Sequence, residues 1–149
     1  MRLLLPSVIM AVYVFLSLVM PLKTALWAKL LMGAALMAAG LKFVFYQVAG
    51  GGFFRPDLPA AVMLAAEALY ASLLLLFFLT LIKDAAGLCL RAGRMFGSTL
   101  HLPFTPDIRC VLLLSIALAG GIWGTWQAVK VPDVRTVDVA VPNLPAELE

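Results

Sequence analysis

Four long apolar stretches follow one another along the chain, covering about residues 3–20, 25–48, 60–82 and 111–129. The first is closed by Pro21. Pro6 falls in its first turn, where a missing N–H costs no helical hydrogen bond. The second holds Lys29 near its start and Lys42 toward its end, and Gly50, Gly51 and Gly52 break it. The third carries one charge, Glu67, and the fourth none. At about 1.5 Å per residue each stretch is long enough, or nearly so, for a hydrocarbon layer of about 30 Å. Helix is the spanning form this pattern allows, because lipid offers the backbone no other hydrogen-bond partner.

The breaks have their own texture. Residues 53–59 form a short loop with Phe53 and Phe54, aromatics suited to a membrane interface. The longest connection is 83–109. Its first half mixes apolar and basic residues at helical spacing, and Arg91 and Arg94, three apart, share a face. That pattern predicts a short amphipathic helix in the headgroup region. His101, Pro103 and Pro106 mark an irregular turn back toward the membrane. After the fourth stretch the run Val134-Arg-Thr-Val-Asp-Val-Ala-Val141 is β-branched and partly alternating, a strand signal outside the bilayer. The expected architecture is an all-α membrane protein: a four-helix transmembrane bundle over residues 1–130, then a short extramembrane strand and tail over 131–149.

Composition supports the same class. Of 149 residues 64% are hydrophobic and 13% charged, with a mean hydropathy of +1.05. A soluble domain would carry roughly twice that charged fraction. The net charge of +3 is spread over loops and helix ends, so it implies no nucleic-acid partner. Cys89 and Cys110 are too few for a disulfide scaffold and have no CxxC spacing. The first apolar stretch is long for a signal peptide and no small-x-small site follows it, so it is expected to stay as a signal anchor.

Orientation follows from the bases beside the spans. Lys23, Lys29, Lys83, Arg91, Arg94 and Arg109 fall on one side, and Arg2, Arg55, Lys130 and Arg135 on the other. The positive-inside rule then places both termini outside the cytoplasm.

Lys42 and Glu67 are the charges inside the spans that bear most on function. A lone charge at membrane depth costs about 2.5–3.5 kcal/mol on insertion scales. Lys42 lies six residues before the end of its span and Glu67 seven after the start of the next. In an antiparallel hairpin their depths differ by a few ångströms, so they are expected to face one another and pair. Such a pair either fixes helix register or forms part of a proton or ion relay. Small residues mark helix contacts: Gly33, Ala34, Ala38 and Gly40; Ala61, Ala65 and Ala68; and in the last span the Gly120/Gly124 pair beside a second stripe of Ala117, Gly121 and Thr125. The open alternatives are packing within the bundle and a homodimer seam. Trp123 and Trp126 read as interface anchors. His101 is the lone histidine, without partners at ligand spacing. No nucleophile triad, phosphate loop, dinucleotide fingerprint or paired catalytic carboxylates occurs. No catalytic residue, metal ligand or cofactor is expected in this chain, and the bilayer is its expected partner.

The segment Gly121-Ile-Trp-Gly-Thr-Trp-Gln-Ala-Val-Lys-Val-Pro-Asp-Val-Arg-Thr-Val-Asp-Val-Ala-Val-Pro-Asn-Leu-Pro-Ala-Glu-Leu148 resembles the junction in bacterial transmembrane metallophosphoesterases of the calcineurin-like superfamily. There a glycine-rich helix leads into a strand, a Leu-Pro turn and the first catalytic strand with its Asp-x-His. The basic connection from Lys83 and Asp84 through Arg91 is also similar. The resemblance implies a bacterial inner-membrane anchor whose full-length relative would hydrolyse phosphoesters with two divalent metals. The family's metal-binding motifs would begin after Glu149, and none occurs in this sequence, so no catalytic residue carries over. The alternative is an autonomous four-span protein, a transporter or an interaction partner.

Overall fold

The computed structural model describes residues 4–49, 51–52, 55–56, 58–95 and 104–130. The expected C-terminal strand and His101 lie outside these residues. Five helices make up the described chain: α1 (Leu4–Val14), α2 (Leu26–Gly40), α3 (Lys42–Val48), α4 (Ala60–Met95) and α5 (Pro106–Val129). Gly51–Gly52 and Arg55–Pro56 add a two-residue antiparallel pairing between α3 and α4.

The apolar side chains are arranged for lipid. α4 and α5 are each long and apolar enough to cross a membrane, and α2 with α3 makes a third span if the bent pair is counted as one. Only 17% of the most apolar window of either α4 or α5 is buried. Leu26, Ile82, Trp123 and Trp126 are each at least 66% exposed. A surface of that kind is stable against acyl chains and not against water. Inside, Val14, Leu18, Val19, Leu22, Leu76, Cys110 and Ala117 form the main core, and Ala11, Ala39 and Leu73 a smaller one.

α1 runs on into a π-helical turn, Phe15–Val19. Met20 N–H donates to the Phe15 carbonyl at 3.0 Å, a bond across five residues. The wider turn has a consequence for Ser17. Its α-helical donor would be residue 21, a proline without an N–H, and the Leu22 N–H goes to Val19 instead. The Ser17 carbonyl therefore receives a side-chain donor, described below.

Three expectations need correction. The stretch 25–48 is not one straight helix: α2 and α3 meet at a 61° bend, with Leu41 at φ −87°, ψ 10°. A Cβ on Gly40 would come 3.1 Å from the Ser7 carbonyl oxygen and 3.3 Å from Ala11 Cβ. α1 thus presses directly on the α2 backbone where the helix turns. The amphipathic segment after Ile82 is not a separate helix. It is the last third of α4, which runs unbroken for 36 residues, about 54 Å. Pro106 does not belong to an irregular turn: it opens α5, with Thr105 as N-cap accepting from Ile108 N–H at 3.5 Å.

Candidate functional site

Lys42 begins α3, immediately after the bend, and its side chain is 8% exposed. The bend turns it toward α4, where Lys42 Nζ donates to Glu67 Oε2 at 2.8 Å. The other carboxylate oxygen accepts from Tyr46 Oη at 3.0 Å. Tyr46 is four residues after Lys42, so one face of α3 supplies both donors. Tyr70, three residues after Glu67, lays its ring 4.3 Å from the ammonium, and the rings of Phe43 and Tyr46 lie at 5.0 and 5.7 Å. Facing π-systems stabilise a cation held out of water. Tyr70 Oη in turn shares a hydrogen bond of 3.1 Å with Ser7 Oγ of α1. The pair thus ties α1, α3 and α4 together, and both oxygens of the acid are occupied.

A second polar cluster stands near the far end of the apolar part of α4. Asp84 Oδ2 accepts from Tyr13 Oη at 2.6 Å and from Ser17 Oγ. Asp84 Oδ1 lies 2.9 Å from Lys83 Nζ. Lys83 Nζ also donates to the Ser17 hydroxyl and to the Ser17 carbonyl, each at 2.9 Å. Lys83 therefore supplies the donor that Pro21 cannot, and the π turn of α1 is docked on α4. Glu67 and Asp84 are seventeen residues apart on one helix, about 25 Å. Among the described residues only apolar and hydroxyl side chains fill α4 between Glu67 and Lys83. The chemistry available is therefore that of two fixed ion pairs, one at each end of the apolar zone. No acid or base stands on α4 between them.

The small residues divide by what they touch. A Cβ on Gly121 would come 2.8 Å from Ser72 N and 2.9 Å from the Ala68 carbonyl oxygen, and Ala117 is buried beside it. The second stripe is thus the α4–α5 contact. Gly120 faces the Leu75 side chain, and Gly124 faces open space. Of the Gly120/Gly124 pair, Gly120 thus packs against α4 and Gly124 does not. The hydroxyls on this contact bond their own helices, Ser72 Oγ to the Ala68 carbonyl at 2.7 Å and Thr125 Oγ1 to the Gly121 carbonyl at 2.9 Å.

Arg91 and Arg94 are exposed on the last turns of α4. Among the described residues no group of three or more metal-ligating side chains occurs. Sequence reasoning missed Tyr46, Tyr70, Tyr13 and Ser17. The first two were accessible from helical spacing to Lys42 and Glu67. The last two come from α1, about seventy residues away, and no local spacing points to them.

Comparison of the chain with protein-family models, with curated proteins and with solved structures gives no match in any of the three.

Proposed function

We propose that this chain is a non-catalytic, lipid-embedded anchor that crosses the membrane four times. The passes are Leu4–Val19, the bent pair α2 and α3, the first two-thirds of α4, and α5. The observation that carries this reading is the Lys42–Glu67 pair. Lys42 and Glu67 are spent on each other and on Tyr46 and Tyr70, so among the described residues this pair offers no free acid or base for chemistry. Leu4–Val19 is an apolar helix shorter than the other candidate spans, and we take it as the fourth pass. It packs against α2 and α4 through Val14 and Ala11 and presents Leu5, Ile9, Val12 and Leu16 outward.

The pattern of residues 121–148 supports a further step, that the anchor serves a phosphoesterase domain following the tail. The comparisons add nothing to it. An Asp-x-His codon pattern in the DNA shortly past Glu149 is the expected finding, and its absence would remove this step without touching the anchor.

The anchor reading is tested on the expressed chain. It should stay with membranes through an alkaline carbonate wash and leave them only in detergent. Cysteine placed at Lys130 in a cysteine-free background should react with an impermeant maleimide from outside the cell. Cysteine at residue 89 should react only from within. Release by carbonate, or both positions reacting from one side, would refute a four-pass anchor.

A further inference from the structure

The last third of α4 continues beyond the apolar zone and, with two other elements, encloses a groove of about 700 Å³. Its walls are α1 and its π turn (Tyr13, Ser17) with Pro21 after them, one face of α4, and the first turn of α5 (Pro106, Arg109). Asp84, Gly87, Arg91 and Arg94 line it at spacings of three and four, so they form a single helical stripe aimed into it.

The charge in the groove is unbalanced. Asp84 is already satisfied by Lys83, Tyr13 and Ser17. The other acid at this end, Asp107, accepts the Lys23 backbone N–H at 3.3 Å. Among the described residues Arg91, Arg94 and Arg109 make no ion pair. Arg109 adds a second, independent sign: its Nε is buried and has no hydrogen-bond partner among the described residues. A buried guanidinium nitrogen without an acceptor is costly, and an acceptor entering the groove would remove that cost. Two guanidinium groups from α4 and one from α5 thus line a groove whose acid, Asp84, is already engaged by Lys83, Tyr13 and Ser17. Planar forks of this kind suit the oxygens of a phosphate.

The groove is also half apolar. Leu18, Leu81 and Leu88 line it, and Leu81 and Ile82 are exposed on the adjoining lipid-facing surface of α4. A ligand placed here meets cations at one end and a hydrocarbon-facing wall at the other. We infer that this groove is a binding site for the phosphate headgroup of an anionic phospholipid. Arg91, Arg94 and Arg109 hold the phosphate oxygens, and the acyl chains descend along Leu81 and Ile82. Basic pockets between helices at the cytoplasmic face are a recurrent form of such recognition. The inference rests on the lipid-embedded reading. Failure of that reading would appear as release from the membrane, and failure of this one as lost lipid selectivity in a protein still embedded.

The test uses the full chain purified in mild detergent and placed in bilayer discs containing phosphatidylglycerol, cardiolipin or phosphatidylcholine. Retained lipid is read by native mass spectrometry after delipidation. The wild type should retain anionic lipid in preference to phosphatidylcholine. The double substitution R91Q/R94Q and the single R109Q should each lower that retention, the double by about tenfold or more, given roughly fivefold per basic residue near an anionic headgroup. K130Q, which removes one charge as R109Q does but at the opposite end of α5, should leave it unchanged. R109K tests geometry with the charge kept, and should retain part of the binding in a folded protein. Equal retention of phosphatidylcholine, or anionic retention unaffected by R91Q/R94Q and R109Q, would overturn the inference. So would an equal loss in K130Q, which would mark general charge attraction. Inorganic phosphate titrated calorimetrically into the lipid-free protein should give no saturable heat at millimolar concentrations. Saturable binding that displaces the lipid would assign the groove to a soluble phosphate instead and refute the lipid.

Discussion

Gly121 of α5 lies directly against Ser72 of α4, so close that a Cβ on the glycine would stand 2.8 Å from the serine's backbone nitrogen. Three residues on, Gly124 meets nothing within 4 Å. The two glycines therefore respond oppositely to the same change. Gly121→Ala is expected to force the helices apart and cost about 1–3 kcal/mol, outweighing the gain of up to about 1 kcal/mol in helix propensity. Gly124→Ala should be neutral or stabilising. Thermal unfolding of the detergent-solubilised chain separates them, and a stabilised Gly121→Ala would contradict the close approach. A Gly124→Leu chain that loses a wild-type dimer on sizing would place that open face in a homodimer seam.

The Lys42–Glu67 pair should behave as one unit. Glu67→Gln leaves a nearly buried ammonium with a weaker acceptor, and Lys42→Met leaves a carboxylate held by Tyr46 alone. Each single change is expected to cost about 2.5–3.5 kcal/mol at membrane depth. The double change should cost clearly less than the sum, with a coupling of about 0.5–3 kcal/mol. Strict additivity in denaturant unfolding would show that the two side chains do not act together. Tyr46→Phe should cost about 1 kcal/mol, the loss of one hydrogen bond.

Lys83→Met should uncouple α1 from α4 at its far end. It removes the donor to the Ser17 carbonyl, which has neither its i+4 nor its i+5 backbone donor because residue 21 is proline and Leu22 bonds Val19. The carbonyl is partly buried, and losing its donor is expected to cost about 1 kcal/mol. Amide exchange should accelerate around Ser17 and in the last third of α4, while exchange near Glu67 stays slow. Unchanged protection around Ser17 would mean the π turn does not depend on Lys83.

The two thiols should differ sharply. Cys110 is 4% exposed in the core, and Cys89 is exposed on the last third of α4. A small maleimide should label Cys89 in seconds to minutes and reach Cys110 only after unfolding. Cys89→Ser should leave almost no fast labelling, and substantial fast labelling in that variant would show that the start of α5 opens readily.

Much of the site was legible along the chain. Lys42 and Glu67 stood out because a charge inside an apolar span is costly, and their distances from the adjoining loop placed them at one depth. The identity of the seam on α5 was not. Both small-residue stripes have the same spacing, and which one meets α4 depends on a helix rotation that no local pattern specifies. The extent of α4 was misread at Lys83 and Asp84, where hydropathy falls. Nothing there breaks a helix, and the two charges are absorbed by Tyr13 and Ser17 of α1.

The sequence by itself determined that this chain belongs in lipid, since its apolar surface exceeds what any aqueous core of this size could hide. It also determined that helices are its spanning form, since lipid leaves the backbone no other way to satisfy itself. Only the tertiary structure decided where the second apolar stretch bends, because α1 presses on Gly40 through contacts about thirty residues away. It alone placed Arg91, Arg94 and Arg109 around one groove, because convergence of three distant cations depends on how α1, α4 and α5 pack and not on their spacing along the chain.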